Sequence, residues 1–425
     1  MRNTNLLKSW LTCISAALFF TYELIQMHML NAISPMVMKD LQLNASFFSY
    51  LCAAYLFADV VFLIPAGIIL DRCSTRKTIL WALGFCVIGT FGFGLAQNFL
   101  QAFTAHFLSG IGNAFCFLSC MLLVSRWFPL KKQAFVVGIV VTIGLLGGMI
   151  AQAPFIWLAQ TFTWRQALFI DGFLGIVLFF LIFLTVRDYP EGSSREAAPK
   201  RLFFSEIKQC LKNKQNFFAG IFTGLMNLPL MLLGAMWGTL FCHQIHHMTM
   251  AQAASISSMI CLGTIIGSPI FGRLSDGLQQ RKSFMLAGNI LSLILFLYIL
   301  YFAYPISAFR LSSLFFLLGF FSSSQIIGYP VITESNPKHL TGTSMGIAAV
   351  IIMGLAAIAQ PLSGILMHHQ WNGAQTEGLP IYSLKNFQMG LLIIPIGFIL
   401  SLFAVLSLKE TKKLEKANKL KPITN

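Results

Sequence analysis

Charged residues are scarce in this chain of 425 residues. Asp, Glu, Lys and Arg make up 10% of it, whereas an ordinary globular protein carries about 25%. This shortage argues against a water-soluble fold. The chain is instead 56% hydrophobic, and its apolar residues form runs of about twenty, long enough to cross a hydrocarbon core of about 30 Å.

Patterns typical of several other protein classes are missing as well. The nine cysteines include no C-x-x-C pair, which argues against zinc or redox chemistry. No G-x-x-x-x-G-K-[ST] loop occurs, so we do not expect ATP as the direct energy source. Histidines at predicted span ends lack a supporting set of acidic ligands. We therefore expect no metal, no cofactor and no catalytic residue.

Twelve apolar runs are predicted to be transmembrane helices. The first has no small-residue cleavage site and contains Glu23, so we interpret it as a span and not as a signal peptide. The predicted spans are 9–35, 47–70, 78–97, 99–125, 133–159, 166–186, 216–242, 251–273, 283–303, 311–333, 341–368 and 387–408.

The formal net charge of +15 reflects membrane orientation. With the N-terminus inside, all but four of the 29 basic residues fall in cytoplasmic segments; the four are Lys39, Arg165, Arg310 and Lys385. The positive-inside rule then predicts a multi-pass protein of the bacterial inner membrane with both termini in the cytoplasm. Contact with the lipid bilayer is expected, and a nucleic-acid partner is not.

A polar segment divides the chain into two sets of six spans. Residues 187–215 contain Pro190, Gly192 and seven basic residues, which indicates a cytoplasmic linker with a short amphipathic helix near Phe203 to Leu211. The predicted organisation is a first bundle over 1–186, the linker over 187–215, a second bundle over 216–408 and a basic tail over 409–425.

One loop pattern occurs in both halves. After spans two and eight the chain reads G-x-x-x-D, four intervening residues and two bases, at positions 205 residues apart. Such duplication is typical of transporters built from repeats. The residues are Gly67, Asp71, Arg72, Arg76 and Lys77 in the first half and Gly272, Asp276, Arg281 and Lys282 in the second.

This loop resembles the conserved G-x-x-x-D-R-x-G-x-R-K loop of the major facilitator superfamily, with Ser74 in place of the second glycine. Further similarity lies in His106 to Gly112 and in the Arg126-Trp-Phe-Pro segment. The resemblance implies an all-α membrane protein of twelve transmembrane helices in two pseudo-symmetric six-helix bundles. It also implies that the loop residues and Arg126 act in gating, with Asp71 placed to pair with Arg126.

A finer resemblance concerns the cargo. The pairs Tyr22-Glu23 and Ile64-Pro65, together with 325–330 and 334–337, are similar to a proteobacterial subgroup of phagosomal amino-acid transporters and, more distantly, to lysosomal dipeptide carriers. This resemblance implies uptake of an amino acid or short peptide.

Four ionisable residues fall within the spans of the first half: Glu23, Asp59, His106 and Asp171. Such groups are costly in a membrane and usually face a cavity. We expect Glu23 and His106 to face the central cavity and to exchange protons, with Asp59 as a further candidate. The alternative is that each residue hydrogen-bonds a neighbouring helix, and Asp171 is close enough to Arg165 to form a structural pair.

In the second half, polar and aromatic groups on spans seven and ten are candidates for binding the substrate. These are Asn227, Trp237, Gln325 and Tyr329; simple packing is the alternative for each. Glu334 is expected to be a gate or helix-end group.

The sequence therefore predicts a monomeric secondary carrier of a small molecule, with protons as the coupling ion. Export of drugs or siderophores is an alternative within transport. An alternative of another class is a membrane-embedded lipid-modifying enzyme. Such an enzyme would need a nucleophile, a base and an orienting group at one depth, and the sequence offers no such set. The segment Gly342 to Gly346 matches G-x-S-x-G by chance, because that motif needs a strand-to-helix turn and here it enters a span after a cytoplasmic loop.

Overall fold

The structure is a computed structural model that describes residues 3–190, 203–278, 280–302, 306–337, 340–376 and 378–410. Within those ranges, twelve helical segments are long and apolar enough to cross a membrane, which confirms the predicted number. Spans 1 to 6 are Asn3–Asp40, Ala45–Arg72, Thr75–Leu95, Phe99–Trp127, Leu130–Ile150 with Ala153–Thr161, and Trp164–Thr185.

The second half repeats this arrangement after a linker helix, Phe203–Lys212, at the predicted place. Span 7 consists of Lys214–Met226, the π-helix Leu230–Trp237 and Gly238–His246, and spans 8 and 9 are Met250–Gly277 and Arg281–Tyr301. Span 10 consists of Ala308–Ser322, the 3₁₀-helix Ser323–Ile327 and Gly328–Glu334, span 11 is Thr341–His369, and span 12 is Leu384–Leu391 with Ile393–Ser407. A short antiparallel pair of strands, Gln375–Thr376 and Leu379–Pro380, precedes span 12.

Two names describe the faces of this bundle. We call the side where span 1 begins and span 12 ends the terminal side, and the other the distal side. Because the spans alternate in direction, spans 2, 4, 6, 8, 10 and 12 start on the distal side.

Polar side chains cap the first turn of many helices in both halves. Each accepts a hydrogen bond from a backbone N–H of that turn, an N-cap that stabilises the start of a helix. These caps include Asn44, Ser74, Asn98, Thr163, Thr249, Ser307 and Ser383.

The two halves pack in the same way. Span 4 lies against span 2 in the first half, as span 10 lies against span 8 in the second. A Cβ atom on Gly110 would come within 2.2 Å of the Tyr55 carbonyl, and one on Gly319 within 2.1 Å of the Ile260 carbonyl. Glycine therefore allows each pair of backbones to touch. Tyr55 and Ile260 are separated by the same 205 residues as the repeated loops.

Acidic residues cap two helices on the terminal side. Asp188, just after span 6, accepts the backbone N–H of Arg76 at 2.7 Å. Glu410, just after span 12, accepts the backbone N–H groups of Arg281 at 2.7 Å and Lys282 at 3.1 Å. A carboxylate is favourable there because a helix N-terminus carries partial positive charge. In each half, a carboxylate just after the sixth span therefore binds the N-terminus of the third span.

Spans 7 and 10 both lose regular α-helical geometry near their middles. In span 7, Pro229 has no N–H to give to the helix, and beyond it the N–H of Gly238 bonds to the Leu233 carbonyl five residues earlier. In span 10 three consecutive serines, 322 to 324, lie where the α-helix gives way to the 3₁₀-helix, and Ser322 and Ser323 donate to carbonyls three residues back. Such local bonds compete with the helical ladder.

Candidate functional site

Glu23 lies at the centre of a buried cluster formed by spans 1, 2 and 4. The Tyr55 hydroxyl donates to Glu23 Oε2 at 2.8 Å, and the Tyr55 ring lies 5.3 Å from that of His106. A Cβ on Gly112 would lie only 2.3 Å from Glu23 Oε1. The glycine of span 4 therefore makes room for the carboxyl group. The structure thus brings two of the predicted proton-exchanging residues into contact with one tyrosine: Glu23 accepts a hydrogen bond from its hydroxyl, and His106 packs near its ring.

The expectation that these two groups face the central cavity is wrong for this conformation. Glu23 is 0% and His106 is 1% exposed. The imidazole lies between the rings of Tyr55 and Phe93, whose centroids are 5.3 and 5.6 Å away. Counting residues along a span gives depth in the membrane, but which neighbour covers a side chain depends on how the helices pack. Both groups are therefore closed off beneath aromatic rings.

The other two acids of the first half are also buried and paired with amides. Asp59 is 2% exposed and accepts a side-chain hydrogen bond from Asn113. Asp171 accepts a hydrogen bond from Gln26, whose carbonyl oxygen in turn accepts one from Thr90 at 3.0 Å.

The alternative pairing of Asp171 with Arg165 is not observed. Arg165 instead forms an ion pair of 2.7 Å with Asp40 at the distal end of span 1, because its guanidinium points away from the membrane interior toward the distal loops.

In the second half, two of the four predicted binding residues bond to each other where spans 7 and 10 are irregular, and a third lies close by along span 10. Gln325 Nε2 donates to Asn227 Oδ1 at 3.2 Å, and Tyr329 lies one turn beyond Gln325 on span 10. Gln325 and Tyr329 are half-buried, whereas Asn227 is 7% exposed. Irregular backbone at membrane depth is tolerated where it is buried in protein or lines a cavity, so this junction is the best-formed candidate binding site.

Trp237 does not belong to this group. It is 0% exposed, its indole N–H donates to Ser363 Oγ at 3.0 Å, and its ring lies 5.5 Å from that of Phe48. These contacts join spans 7, 11 and 2, so in this conformation Trp237 packs between the halves.

Two arginine side chains hold the repeated loop of the first half against the end of span 6. The Arg76 guanidinium donates to the Phe183 carbonyl and lies over the Phe183 ring. Arg126 donates to Thr75 Oγ1 at 2.8 Å and lies 4.5 Å above the ring of Tyr189. The predicted contact of Arg126 with Asp71 involves a side chain outside the described residues. Both arginines thus tie the loop to the end of span 6.

The other described residues of the first-half loop are more open. Arg72 and Lys77 are exposed, and a Cβ on Gly67 would meet nothing within 4 Å. The second-half loop glycine, Gly272, is equally open.

The repeated loop of the second half forms a compact ionic cluster. The Arg281 side chain is 5% exposed and bonds Asp276 at 2.7 Å and Glu334 at 2.6 Å. It also donates to Ser275 Oγ at 2.9 Å, while Lys282 donates to the Leu406 carbonyl at 2.7 Å. The Arg281 cluster therefore joins the terminal ends of spans 8, 9 and 10, with Glu334 acting as a helix-end group.

Sequence reasoning missed the polar contact that joins the two halves. Asn31 of span 1 inserts its carboxamide against span 7, donating to the Gly234 carbonyl at 3.1 Å and accepting the N–H of Thr239 at 3.0 Å. It also donates to Gln152 Oε1 at 2.9 Å and to Ser257 Oγ at 2.6 Å. The π-helix ends between Gly234 and Thr239, so Asn31 satisfies backbone groups at the point where the ladder is disturbed. Pro229 was the sequence signal for that disturbance.

Further contacts between the halves lie toward the distal end. The N–H of Ala45 donates to the Tyr382 hydroxyl at 2.7 Å, and burial raises the pKa of that hydroxyl above its usual value. A Cβ on Gly364 of span 11 would strike Ser49 of span 2 at 2.1 Å.

The glycines near the terminal ends of the same two spans are not packed against a neighbour. Cβ atoms on Gly67, Gly342 and Gly346 would meet nothing within 4 Å. Spans 2 and 11 therefore touch closely at their distal ends, whereas these three terminal-side glycines face open space.

The model of the Major Facilitator Superfamily matches residues 12–361 and 231–423. The chain belongs to this superfamily. Similar superfamily proteins of Escherichia coli K12 include the probable galactarate/D-glucarate transporters GudP, 23% identical over 73% of this chain and 76% of the relative, and GarP, 25% identical over 80% and 84%. The E. coli K12 hexuronate transporter is 28% identical over 59% of this chain and 61% of its own length.

Solved structures of the superfamily share the fold. A bacterial homologue of the human lysosomal transporter Spinster, in an inward-facing and unoccupied conformation, superimposes with a TM-score of 0.79 at 15% identity over 98% of this chain and 99% of the homologue. The inward-facing and occupied form gives 0.72 at 16% identity over 95% and 96%. The predicted family and fold class are confirmed, while the roles of individual residues stay predictions.

Proposed function

We propose that this superfamily transporter is a secondary active carrier that moves a small polar metabolite by alternating access, coupled to protons. The observation that carries the proposal is the insertion of Asn31 of span 1 into span 7, which joins the two halves toward the distal side, while glycines at the terminal ends of spans 2 and 11 face open space. A carrier must be able to break one closure and form another. The polar, buried contact of Asn31 with span 7 is one that water could replace when the halves separate.

We place both termini in the cytoplasm of a bacterial cell, because the basic residues gather on the terminal side. On this assignment the described conformation is closed to the periplasm. The chain acts as a monomer, with each six-helix half as the moving unit.

Glu23 is the proposed proton carrier. Its carboxyl group accepts a hydrogen bond from Tyr55, but every Lys and Arg of the spans lies near a span end. Glu23 is therefore buried without a cationic partner, which disfavours the charged form of its carboxyl group. Enclosure of Glu23 beneath Tyr55 is therefore expected to accompany proton uptake, and exposure in the other conformation is expected to allow release. His106, whose ring packs near that of Tyr55, is placed to modulate this exchange, and Asp59 is the next candidate.

Uptake into proteoliposomes tests this role. Glu23→Gln should abolish accumulation driven by a pH gradient yet retain exchange of substrate at equal pH, because exchange does not require deprotonation. The matched control is Asp40→Asn, which removes a carboxylate in the distal ion pair with Arg165 and should keep gradient-driven uptake. Accumulation by Glu23→Gln at the wild-type level would reject Glu23 as the proton carrier.

Two cargo classes compete. The finer sequence resemblance implies an amino acid or short peptide, whereas the names of the related E. coli proteins suggest sugar acids. Family membership also favours transport over the lipid-modifying enzyme considered above, and substrate accumulation in sealed vesicles separates these two functions.

A further inference from the structure

The middle turns of the twelve described spans contain acidic residues but no Lys or Arg. Every Lys and Arg within the twelve spans lies in the first or last two turns of its span. Glu23 and Asp59 lie near mid-span, and Asp171 lies beyond the second turn of span 6. All three carboxyl groups are buried. A substrate bound between the halves at this depth would meet no guanidinium or ammonium group.

The histidines at this depth are not placed to act as substitutes. His28 is 2% exposed, and its Nδ1 bonds to the Leu24 carbonyl at 2.9 Å. A Cβ on Gly148 would lie 3.3 Å from Cys261 and 3.7 Å from His28, so His28 is enclosed where spans 5 and 8 meet. His106 is covered by Tyr55 and Phe93. Neither imidazole faces the junction of spans 7 and 10.

The candidate binding site itself is neutral. Its amides, Asn227 and Gln325, each offer both N–H donors and a carbonyl acceptor, and Tyr329 adds a hydroxyl and a ring. Guanidinium and ammonium groups form the strongest hydrogen bonds to carboxylates, often in pairs, and this site has neither group. An unpaired anion taken from water into a buried site pays a desolvation cost that amide groups alone do not offset.

We propose that the cargo carries no net negative charge and is an uncharged or zwitterionic polar solute, bound by Asn227, Gln325 and Tyr329. This assignment rests on the proposed carrier function and decides between its two cargo classes. It excludes the sugar acids that the names of the relatives suggest, because glucarate and glucuronate are anions at neutral pH. It admits neutral amino acids and dipeptides, whose ammonium group offsets the carboxylate.

Matched pairs of probes test the charge directly on the purified full-length protein. Thermal shifts are measured for L-glutamine against L-glutamate, L-alanyl-L-alanine against L-alanyl-L-glutamate, and D-glucitol against D-glucarate, at constant pH and ionic strength. A ligand that binds only the folded state raises the apparent melting temperature. We expect at least one uncharged or zwitterionic member to bind, with an apparent affinity at least about tenfold above that of its anionic partner.

A variant connects that binding to the site. Asn227→Ala should weaken the best probe by about tenfold or more, while Gln97→Ala, an exposed distal position, should leave it unchanged; the melting temperature without probe reports whether each variant folds. If a folded Asn227→Ala protein bound the probe with wild-type affinity, the assignment of the binding site to Asn227 would be rejected. If that variant does not fold, Gln325→Ala replaces it under the same criteria.

The remaining outcomes separate this assignment from the carrier function. A shift by D-glucarate or L-glutamate equal to that of its partner overturns the charge assignment, as does the absence of any shift. Uptake of D-glucarate into proteoliposomes would confirm a carrier while rejecting the assigned charge. Binding of a zwitterion without any flux would support the assigned charge while rejecting the carrier.

Discussion

Removing the Asn31 side chain should open the distal side of the protein. Asn31→Ala deletes the contacts to Gln152, Gly234, Ser257 and Thr239. The two Nδ2 hydrogens share the first three acceptors and Oδ1 accepts from Thr239, so about three full hydrogen bonds are lost. Each contributes about 0.5–1.5 kcal/mol net. The Gly234 carbonyl keeps its bond from Gln152 at 2.8 Å, which reduces the loss. We expect the closed state to lose about 2–4 kcal/mol relative to the open state, a shift of ~30- to 1,000-fold in their ratio.

Spin-label distances measure this shift without a substrate. Cys73 is exposed and the other eight cysteines are buried, so Cys73→Ser gives a background with little unwanted labelling. Labels at Thr161 of span 5 and Gln370, just after span 11, then report the separation of the halves on the distal side. Asn31→Ala should add a population at longer distance.

A buried asparagine within one half provides the control. Asn289 of span 9 is 0% exposed and bonds Ser401 of span 12, so Asn289→Ala should lower stability without changing the distal distance. If Asn31→Ala leaves the distances as they are in the wild type, or if Asn289→Ala changes them equally, Asn31 does not hold the distal side closed.

Three further predictions concern stability, ion pairing and topology. Gly112→Ala should destabilise the protein by about 1–3 kcal/mol, since its Cβ would lie 2.3 Å from Glu23 Oε1; denaturation midpoints measure this, and Glu23→Ala should recover part of the loss. Arg281→Gln should cost about 1–3 kcal/mol by removing the cation that bonds both Asp276 and Glu334, an effect that Glu334→Gln in the same chain should reduce. Linker cysteines between Arg187 and Gln215 should be labelled from the cytoplasm only, and labelling from the periplasm would reverse the proposed orientation.

The number of spans and the duplicated architecture could be predicted because they depend on local properties of the sequence. An apolar run must cross the bilayer wherever it packs, and a repeated loop is visible in the residues themselves. The ends of the helices differ from the predicted ones. Span 1 extends over Asn3–Asp40, beyond the predicted 9–35, because its helix continues past the apolar run at both ends.

The contacts of the site could not be predicted because they depend on packing between distant residues. The burial of Glu23 requires Gly110 and Gly112 to bring span 4 close to its neighbours. The pairing of Asp171 with Gln26 displaced the expected pairing with Arg165, since sequence distance from a span end does not fix the direction of a side chain. The role of Asn31 depends on a break in span 7, some 200 residues away in the sequence.

Distances measured on both sides of the same protein test the central claim most directly. A second labelled pair, at Ser125 of span 4 and Gly342 of span 11, reports the terminal side. Alternating access predicts that Asn31→Ala increases the long-distance population on the distal side and the short-distance population on the terminal side together, in equal proportion. Opening of the distal side with no closure of the terminal side would contradict the account.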